Sequence, residues 1–361
     1  MGVIRLLLAL SVLISHTSTI FGFGLVGGQA AVQAFFIISG FYMAFILNEK
    51  YIEKNNSYKP FITNRLLRLY PLYFIVFIFT IFASIAAYIF SSGQNLGRIQ
   101  VYVEHYDSMN FLTLFYLFIS NLTLLFQDIV MFLGLNIETG NLYFTSDFTQ
   151  TKPKLFRFLL VPQAWTVSIE MAFYLIAPLI LRKKLRFILI LLTMSLFLRI
   201  ILHQLDLKND PWTFRFFPTE LALFLMGTVG YHAYKKMGNT PISIQKLIFG
   251  FILFITIGYS FVSFQYQIVL YLFVFAICVP FIFNLSKNWK IDRYLGELSY
   301  PIYISHILII MSVKFLKIPL IGGLGLIVTI FTIIFSIILN KFISEKIEKK
   351  RQNRFSNVYK N

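Results

Sequence analysis

About ten long apolar runs constrain the fold of this chain more than any other feature. Such runs are typical of transmembrane helices, because a helix needs about 20 apolar residues to cross the hydrocarbon core of a bilayer. Of the 361 residues, 58% are hydrophobic and only 13% are charged, which excludes a soluble globular protein. We therefore predict an all-α fold, a polytopic membrane bundle of about ten transmembrane helices. The runs cover residues 5–22, 31–47, 69–90, 165–181, 186–203, 215–233, 244–262, 268–285, 298–316 and 320–342.

The basic residues fall between these runs, and they orient the predicted bundle. Cytoplasmic loops carry an excess of Lys and Arg, and the observed alternation requires both termini to be cytoplasmic. The alternation fails if a further apolar block, 111–135, crosses the membrane. We therefore predict that this block is re-entrant or lies along the outer interface. The basic segments are 49–68, 182–186, 235–246, 287–293 and 346–360.

Charge and cysteine content exclude several kinds of site. The net charge of +17 is spread over short loops, so it does not indicate nucleic-acid binding, and the expected surroundings are a lipid bilayer. The only cysteine, Cys278, lies in an apolar run, where it forms no intramolecular disulfide, and no metal site is expected. The first run carries one arginine and is followed at once by a second run, which favours an uncleaved span over a signal peptide. We predict one integral-membrane domain over 1–345 and a basic cytoplasmic tail over 346–361.

The first apolar run carries a histidine, His16, on the same helical face as Arg5 and Val12. A helix rises about 1.5 Å per residue, which predicts His16 at about 16 Å from Arg5, beyond the middle of a bilayer. A polar side chain at that depth is a functional candidate. The alternative is a histidine that merely donates a hydrogen bond to a neighbouring helix.

Two arginines, Arg65 and Arg68, are three residues apart at the cytoplasmic mouth of the third run. They share a helical face, and guanidinium groups bind phosphate or carboxylate with two parallel hydrogen bonds. The pair suits a phosphorylated cytosolic ligand. Alternatively, it sets topology and contacts lipid headgroups.

A carboxylate, Glu170, lies inside the run that begins near Trp165, with Thr166 and Tyr174 on its helical face. Burying an ionised carboxylate costs free energy unless it has a partner, and we expect that partner to be His16. Such a pair would set the imidazole tautomer and raise its basicity. A purely structural ion pair is the alternative.

On the outer side, Arg215 and Glu220 place opposite charges among aromatic side chains. Aromatic rings beside charged groups suit a sugar acceptor, but they also form ordinary interfacial belts.

A polar stripe follows one helical face of the segment 295–309, through Gly296, Ser299, Tyr303 and His306. Such a stripe must face the bundle interior. His306 is either a second acid or base, or an interhelical hydrogen-bond donor.

In sequence order, these motifs resemble those of the acyltransferase-3 superfamily of integral-membrane acyltransferases. The resemblance covers nearly the whole chain and includes the segment FFIISGF at 35–41. The remaining matches are Arg5, Leu8, Ala9, Val12 and His16; Arg65, Arg68, Tyr70 and Pro71; Trp165, Ser168, Glu170, Phe173 and Tyr174; and Leu295 to His306.

The resemblance implies transfer of an acyl group, typically acetyl, from cytoplasmic acyl-CoA to a hydroxyl of a glycan or glycolipid outside the bacterial cytoplasmic membrane. Acyl-CoA would be a donor substrate, with no cofactor bound permanently. The resemblance implies that His16 is essential and that Arg65 and Arg68 bind the donor. With the residue geometry it also suggests that Glu170 orients His16.

Two other functions fit buried charges and histidines in a membrane bundle. The first is a transporter of a polysaccharide intermediate or small acid, although no internal repeat is visible. The second is a non-catalytic partner in an envelope-assembly complex. The sequence alone does not determine the oligomeric state.

Overall fold

A computed structural model describes residues 1–51, 58–238 and 240–358, with side chains described as far as Arg351. The fold is 75% helical with almost no strand, which confirms the predicted all-α polytopic membrane bundle. The helices are α1 (Gly2–Ser15), α2 (Gly27–Glu49), α3 (Tyr58–Phe90), α4 (Gln100–His105), α5 (Phe111–Thr123), α6 (Trp165–Ile180), α7 (Leu185–Gln204), α8 (Phe217–Lys236), α9 (Ile242–Gly258), α10 (Gln267–Ser286), α11 (Lys290–Phe315), α12 (Leu324–Leu339) and α13 (Glu345–Val358).

Eight helices of the described chain are long and apolar enough to cross a membrane. Of the ten predicted runs, the first and the sixth correspond to helices outside these eight, α1 and α8. The first was predicted to reach residue 22, but α1 ends at Ser15. The chain then turns, with left-handed backbone at Phe21 and Gly22 and a bridge between Ile20 and Phe23. His16 therefore caps a helix of 14 residues, about 21 Å long, at its end.

Small residues allow the central helices to pack very closely. A Cβ atom added to Gly40 of α2 would lie 1.8 Å from the Phe224 carbonyl oxygen of α8, and one added to Gly227 would lie 1.9 Å from the Ile37 carbonyl oxygen. Glycines let two helix backbones touch in this way. The α2–α8 contact is the most extensive helix pair in the bundle, followed by the packing of α1 on α11.

The bundle has two ends, which carry different chemistry. We call the end that holds Tyr51, Arg65 and Arg182 the arginine face; the Arg182 Nη2 donates to the Tyr51 carbonyl at 2.6 Å and joins two loops there. The opposite end, which holds His16, is called the histidine face. Met1 and α13 both lie at the arginine face, where they line one cavity.

The long segment 91–164 lies at the histidine face, between the end of α3 and the start of α6. Its apolar block 111–135 holds α5, of 13 residues, and then strand β1 (Leu133–Leu135), which pairs antiparallel with β2 (Leu142–Phe144). A helix of that length spans about 20 Å, less than the roughly 30 Å of hydrocarbon. The segment 91–164 leaves and re-enters the bundle at the same face. This agrees with the prediction that the block 111–135 does not cross the membrane.

The predicted tail boundary at residue 345 falls inside continuous helix. A π-helical turn, Asn340–Ser344, joins α12 to α13 without a break. The helix therefore carries residues beyond 345 back against the bundle, where α13 packs on α3.

Candidate active site

A cavity of about 860 Å³ opens at the arginine face, and we call it the vestibule. Its walls come from α1, α2, α3, α10, α11, α13 and the π-helical turn. Eight basic side chains line it, against four acidic ones. The vestibule is therefore positively charged and suited to an anionic ligand.

The predicted arginine pair lies in this vestibule, together with Arg5 from the first helix. Arg65 is only 4% exposed, and its Nε and Nη1 have no hydrogen-bond partner among the described residues. No ion pair in the described part of the chain involves Arg5, Arg65 or Arg68. Their charge is therefore available to a ligand, because buried guanidinium groups require an anionic or polar partner.

A narrower recess of about 100 Å³ continues from the vestibule towards the histidine face. The two cavities share Arg5, Tyr42, Arg68 and Tyr300 as lining residues. Residues of the predicted polar stripe face these cavities: Gly296 lines the vestibule, whereas Ser299 and Tyr303 line the recess.

Glu170 lines the recess but does not pair with His16, so that expectation is wrong. Its carboxylate accepts hydrogen bonds from the Ser39 Oγ at 2.7 Å and from the Tyr174 hydroxyl one turn along α6. The helix α6 packs on α2 and α3, which brings the Ser39 side chain to the carboxylate. Similar depth in a bilayer does not tell which helix faces meet, and this is why the pairing was predicted wrongly.

His16 instead stacks on His306, with ring centroids 5.2 Å apart and planes inclined by 27°. His16 is exposed at the histidine face, whereas His306 is fully buried beneath it. The His306 Nδ1 lies 2.6 Å from the Tyr303 carbonyl oxygen. A carbonyl only accepts, so Nδ1 must donate, and the neutral ring then keeps a lone pair on Nε2. That Nε2 has no partner among the described residues, so the interhelical-donor alternative for His306 is not observed.

An aromatic barrier separates the recess from the two histidines. The Tyr303 ring lies 6.4 Å from the Phe35 ring and 5.9 Å from the His306 ring, measured between centroids. Its hydroxyl is held by the Gln163 carbonyl at 2.8 Å and by the Thr166 hydroxyl at 2.7 Å. Neither histidine lines the vestibule or the recess. The recess therefore ends short of His16 in this conformation.

The predicted aromatic and charged residues at the histidine face form a layer beside the histidines. The Arg215 guanidinium lies 4.1 Å from the Trp165 ring centroid, and its Nε donates to Asp210 at 2.7 Å. Glu220 does not pair with Arg215. It is fully buried in the bundle and accepts from the Arg199 Nη2 at 2.6 Å.

Ser168 and Ser299 have structural partners. The Ser168 hydroxyl donates at 2.6 Å to Asp128, in the loop after α5, and burial raises the pKa of that Asp128 carboxyl above its usual range. The Ser299 hydroxyl donates to the Gly296 carbonyl in its own helix at 2.7 Å. Ser168 ties the segment 91–164 to α6 rather than facing the recess.

Sequence analysis missed several residues that the structure places at the cavities. Ser39, in the segment FFIISGF, both lines the recess and donates to Glu170. Tyr42, three residues further along α2, shares that recess, and the spacing of three was a signal. Asn340 and Arg351 line the vestibule from the C-terminal helix. The sequence signal for Asn340 was a polar stripe on one helical face, which indicates an inward-facing side. The stripe is formed by Thr329, Thr332, Ser336 and Asn340.

Comparison with known proteins agrees with the family inferred from these motifs. Residues 1–341 match the acyltransferase-3 family, described as an acyltransferase domain. No curated protein and no solved structure matches the chain. The match spans Arg5, Arg65 and Arg68 of the vestibule, the recess and both histidines. It also agrees with the several membrane-spanning helices of the bundle. The chain therefore belongs to the acyltransferase-3 family and is an integral-membrane acyltransferase.

Proposed function

We propose that this protein is an O-acyltransferase that moves an acyl group, acetyl in the first instance, from acyl-CoA to a hydroxyl of a glycan or glycolipid. The observation that carries this proposal is that the cationic arginines and the candidate base, His16, lie towards opposite ends of the bundle. Arg5, Arg65 and Arg68, which form no ion pair among the described residues, line the vestibule, and a histidine pair lies towards the opposite face. The arginine face would be cytoplasmic, since it holds most of the basic loops.

The vestibule suits the donor because CoA carries several phosphate charges. Arg65 and Arg68 would hold those phosphates through charge-assisted hydrogen bonds. The thioester end of the flexible pantetheine arm would then extend into the recess, past Glu170 and Ser39. Reaching the histidines requires the Tyr303 side chain to rotate away from Phe35.

The transfer itself needs a base near the acceptor. His16, exposed at the histidine face, would take the proton of the acceptor hydroxyl while its oxygen attacks the thioester carbonyl carbon. The carbon–sulfur bond breaks, the acyl group becomes an ester of the acceptor, and the proton leaves with the CoA thiol. His306, which lies beneath His16, would support it in two ways. The His306 ring stacks on the His16 ring, and the His306 Nε2 keeps a free lone pair beside it.

We expect His16→Ala to lower acyl transfer by at least about a hundredfold, the usual contribution of a general base. The measurement is release of the CoA thiol and transfer of radiolabel from acetyl-CoA to envelope glycans, with protein in nanodiscs at matched amounts. The control is His203→Ala, an exposed histidine at the end of α7. Near-normal transfer by His16→Ala, or solute transport without CoA release by the unmodified protein, contradicts the proposal.

For Arg68→Ala we expect the KM for acetyl-CoA to rise by roughly ten- to a hundredfold, because a hydrogen bond to a charged group contributes about 1.5–3 kcal/mol. The kcat should change little if Arg68 acts on donor binding. Arg186→Ala is the matched control, since Arg186 is exposed and lies outside the vestibule. An unchanged dependence of rate on acetyl-CoA concentration would argue against Arg68 as a donor ligand.

A further inference from the structure

One wall of the vestibule, where α12 passes into α13, holds buried polar atoms without partners. Six of these atoms have no hydrogen-bond partner among the described residues. They are the amide nitrogen and oxygen of Asn340, the Ser344 hydroxyl, the Arg351 Nε, and the Nε and Nη1 of Arg65. All four residues line the vestibule, and Asn340 is only 1% exposed. Leaving a buried polar group unpaired costs about 1–3 kcal/mol, and folded proteins pair nearly all of them. The cluster therefore indicates a ligand-binding site.

The local backbone supports a ligand site rather than a packing defect. Residues Asn340–Ser344 form a π-helical turn, which is rare and occurs frequently at functional sites. The turn sits between two α-helical segments and brings Asn340, Ser344 and Arg351 to the same cavity.

The charges indicate what kind of ligand fits. Arg351 is close enough to Arg65 and Arg68 to be repelled by both, although one of its nitrogens donates to Glu348. Three guanidinium groups in one cavity repel each other unless an anion lies between them. Three guanidinium groups in one cavity match the several negative charges of a polyphosphate better than the single charge of a carboxylate.

We propose that Asn340, Ser344 and Arg351 form, with Arg65, the subsite for the phosphorylated adenosine end of the acyl-CoA donor. This inference rests on the proposed function. The Asn340 amide carries both a donor and an acceptor, which matches the hydrogen-bonding edge of adenine. Ser344 and Arg351 lie beyond residues 1–341, the part of the chain that matches the family. The C-terminal helix is thus part of the donor site and not only a basic tail.

The test compares two thioester donors in kinetics of the full-length protein. Acetyl-CoA carries the nucleotide, whereas S-acetylpantetheine lacks it. We expect Arg351→Ala to raise the KM for acetyl-CoA by about tenfold or more, with Arg351→Lys recovering part of the loss, and to leave the kinetics with S-acetylpantetheine unchanged. Asn340→Leu should show the same donor-dependent change. Lys350→Ala is the matched control, because Lys350 is an exposed neighbour outside the vestibule.

Titration of CoA itself by calorimetry separates this inference from the proposed function. If the unmodified protein binds CoA and Arg351→Ala binds it as tightly, the subsite is overturned while the acyltransferase function stands. An Arg351→Ala loss that is equal for acetyl-CoA and S-acetylpantetheine also overturns it. If the unmodified protein does not bind CoA, both proposals fail. Weakened CoA binding by Arg351→Ala without any acyl transfer by the unmodified protein would support the subsite and overturn the function.

Discussion

At the scale of single residues, the buried histidine is the most informative side chain. His306 lies wholly inside the bundle, with Nδ1 fixed as a donor by the Tyr303 carbonyl and Nε2 free of partners in the described chain. A buried polar atom left unpaired is costly, so Nε2 calls for a functional explanation. Two roles were predicted for His306: the interhelical hydrogen bond is not observed among the described residues, and the acid or base role stays a prediction.

We expect His306→Phe to reduce acyl transfer by at least about a hundredfold while the protein remains folded. Phenylalanine keeps an aromatic ring against His16 but removes the Nε2 lone pair. The rate of CoA release and the thermal unfolding midpoint should be measured together, with His203→Phe as the control at an exposed position. A His306→Phe protein that is both stable and fully active would leave His306 with a packing role only.

At the scale of helices, the contact between α2 and α8 fixes the position of the recess. Gly40 and Gly227 let the two backbones touch, and the neighbouring residue Ser39 is thereby directed to Glu170 on α6. A small residue in an apolar run allows close packing of helices, and Gly40 does so here. A run of apolar residues does not show which helix approaches Gly40.

Gly40→Ala should destabilise the protein by about 1–3 kcal/mol or more, because the added Cβ would meet a backbone oxygen that cannot rotate away. The matched control is Gly250→Ala in α9, where nothing lies within 4 Å of the added atom. That change should be neutral or stabilising by up to about 1 kcal/mol, since alanine favours helix. Thermal unfolding of the purified variants measures both, and equal midpoints would contradict the backbone contact.

At the scale of the whole molecule, the described chain separates a cationic cavity at one face from a histidine pair towards the other. Both Met1 and α13 lie at the arginine face, and the segment 91–164 lies at the histidine face. A donor and an acceptor could therefore meet within the bundle without either crossing the membrane. The Tyr303 and Phe35 rings close the way between the two sides in this conformation.

The proposed orientation predicts which loops a membrane-impermeant maleimide labels in intact cells. In a Cys278→Ser background, Glu138→Cys at the hairpin tip should react from outside, while Lys183→Cys should react only after permeabilisation. Both positions are exposed, so access and not burial decides the outcome. The reverse pattern would invert the orientation. A crossing by the block 111–135 would give the same reverse pattern, because it would move residue 138 to the inside and residue 183 to the outside.

The candidate site was predicted in part. The positions of Arg65, Arg68 and the polar stripe at Ser299 and Tyr303 followed from helical spacing, because residues three or four apart share a face. The partners of Glu170 and His16 did not follow from helical spacing, since spacing within one helix carries no information about the helix opposite. The position of Arg351 at the vestibule was missed because the basic tail was taken to be separate from the bundle.

By itself, the sequence determined that the chain is a helical membrane bundle, which family it belongs to, and where its polar side chains lie along each helix. Apolar run length, loop charge and spacing are local properties, and hydrophobicity and helix geometry act on them directly. Only the tertiary structure decided that His16 meets His306, that Glu170 meets Ser39, and that Tyr303 closes the recess. These contacts depend on how close the helices approach and how they are rotated, and side chains distant in sequence set both.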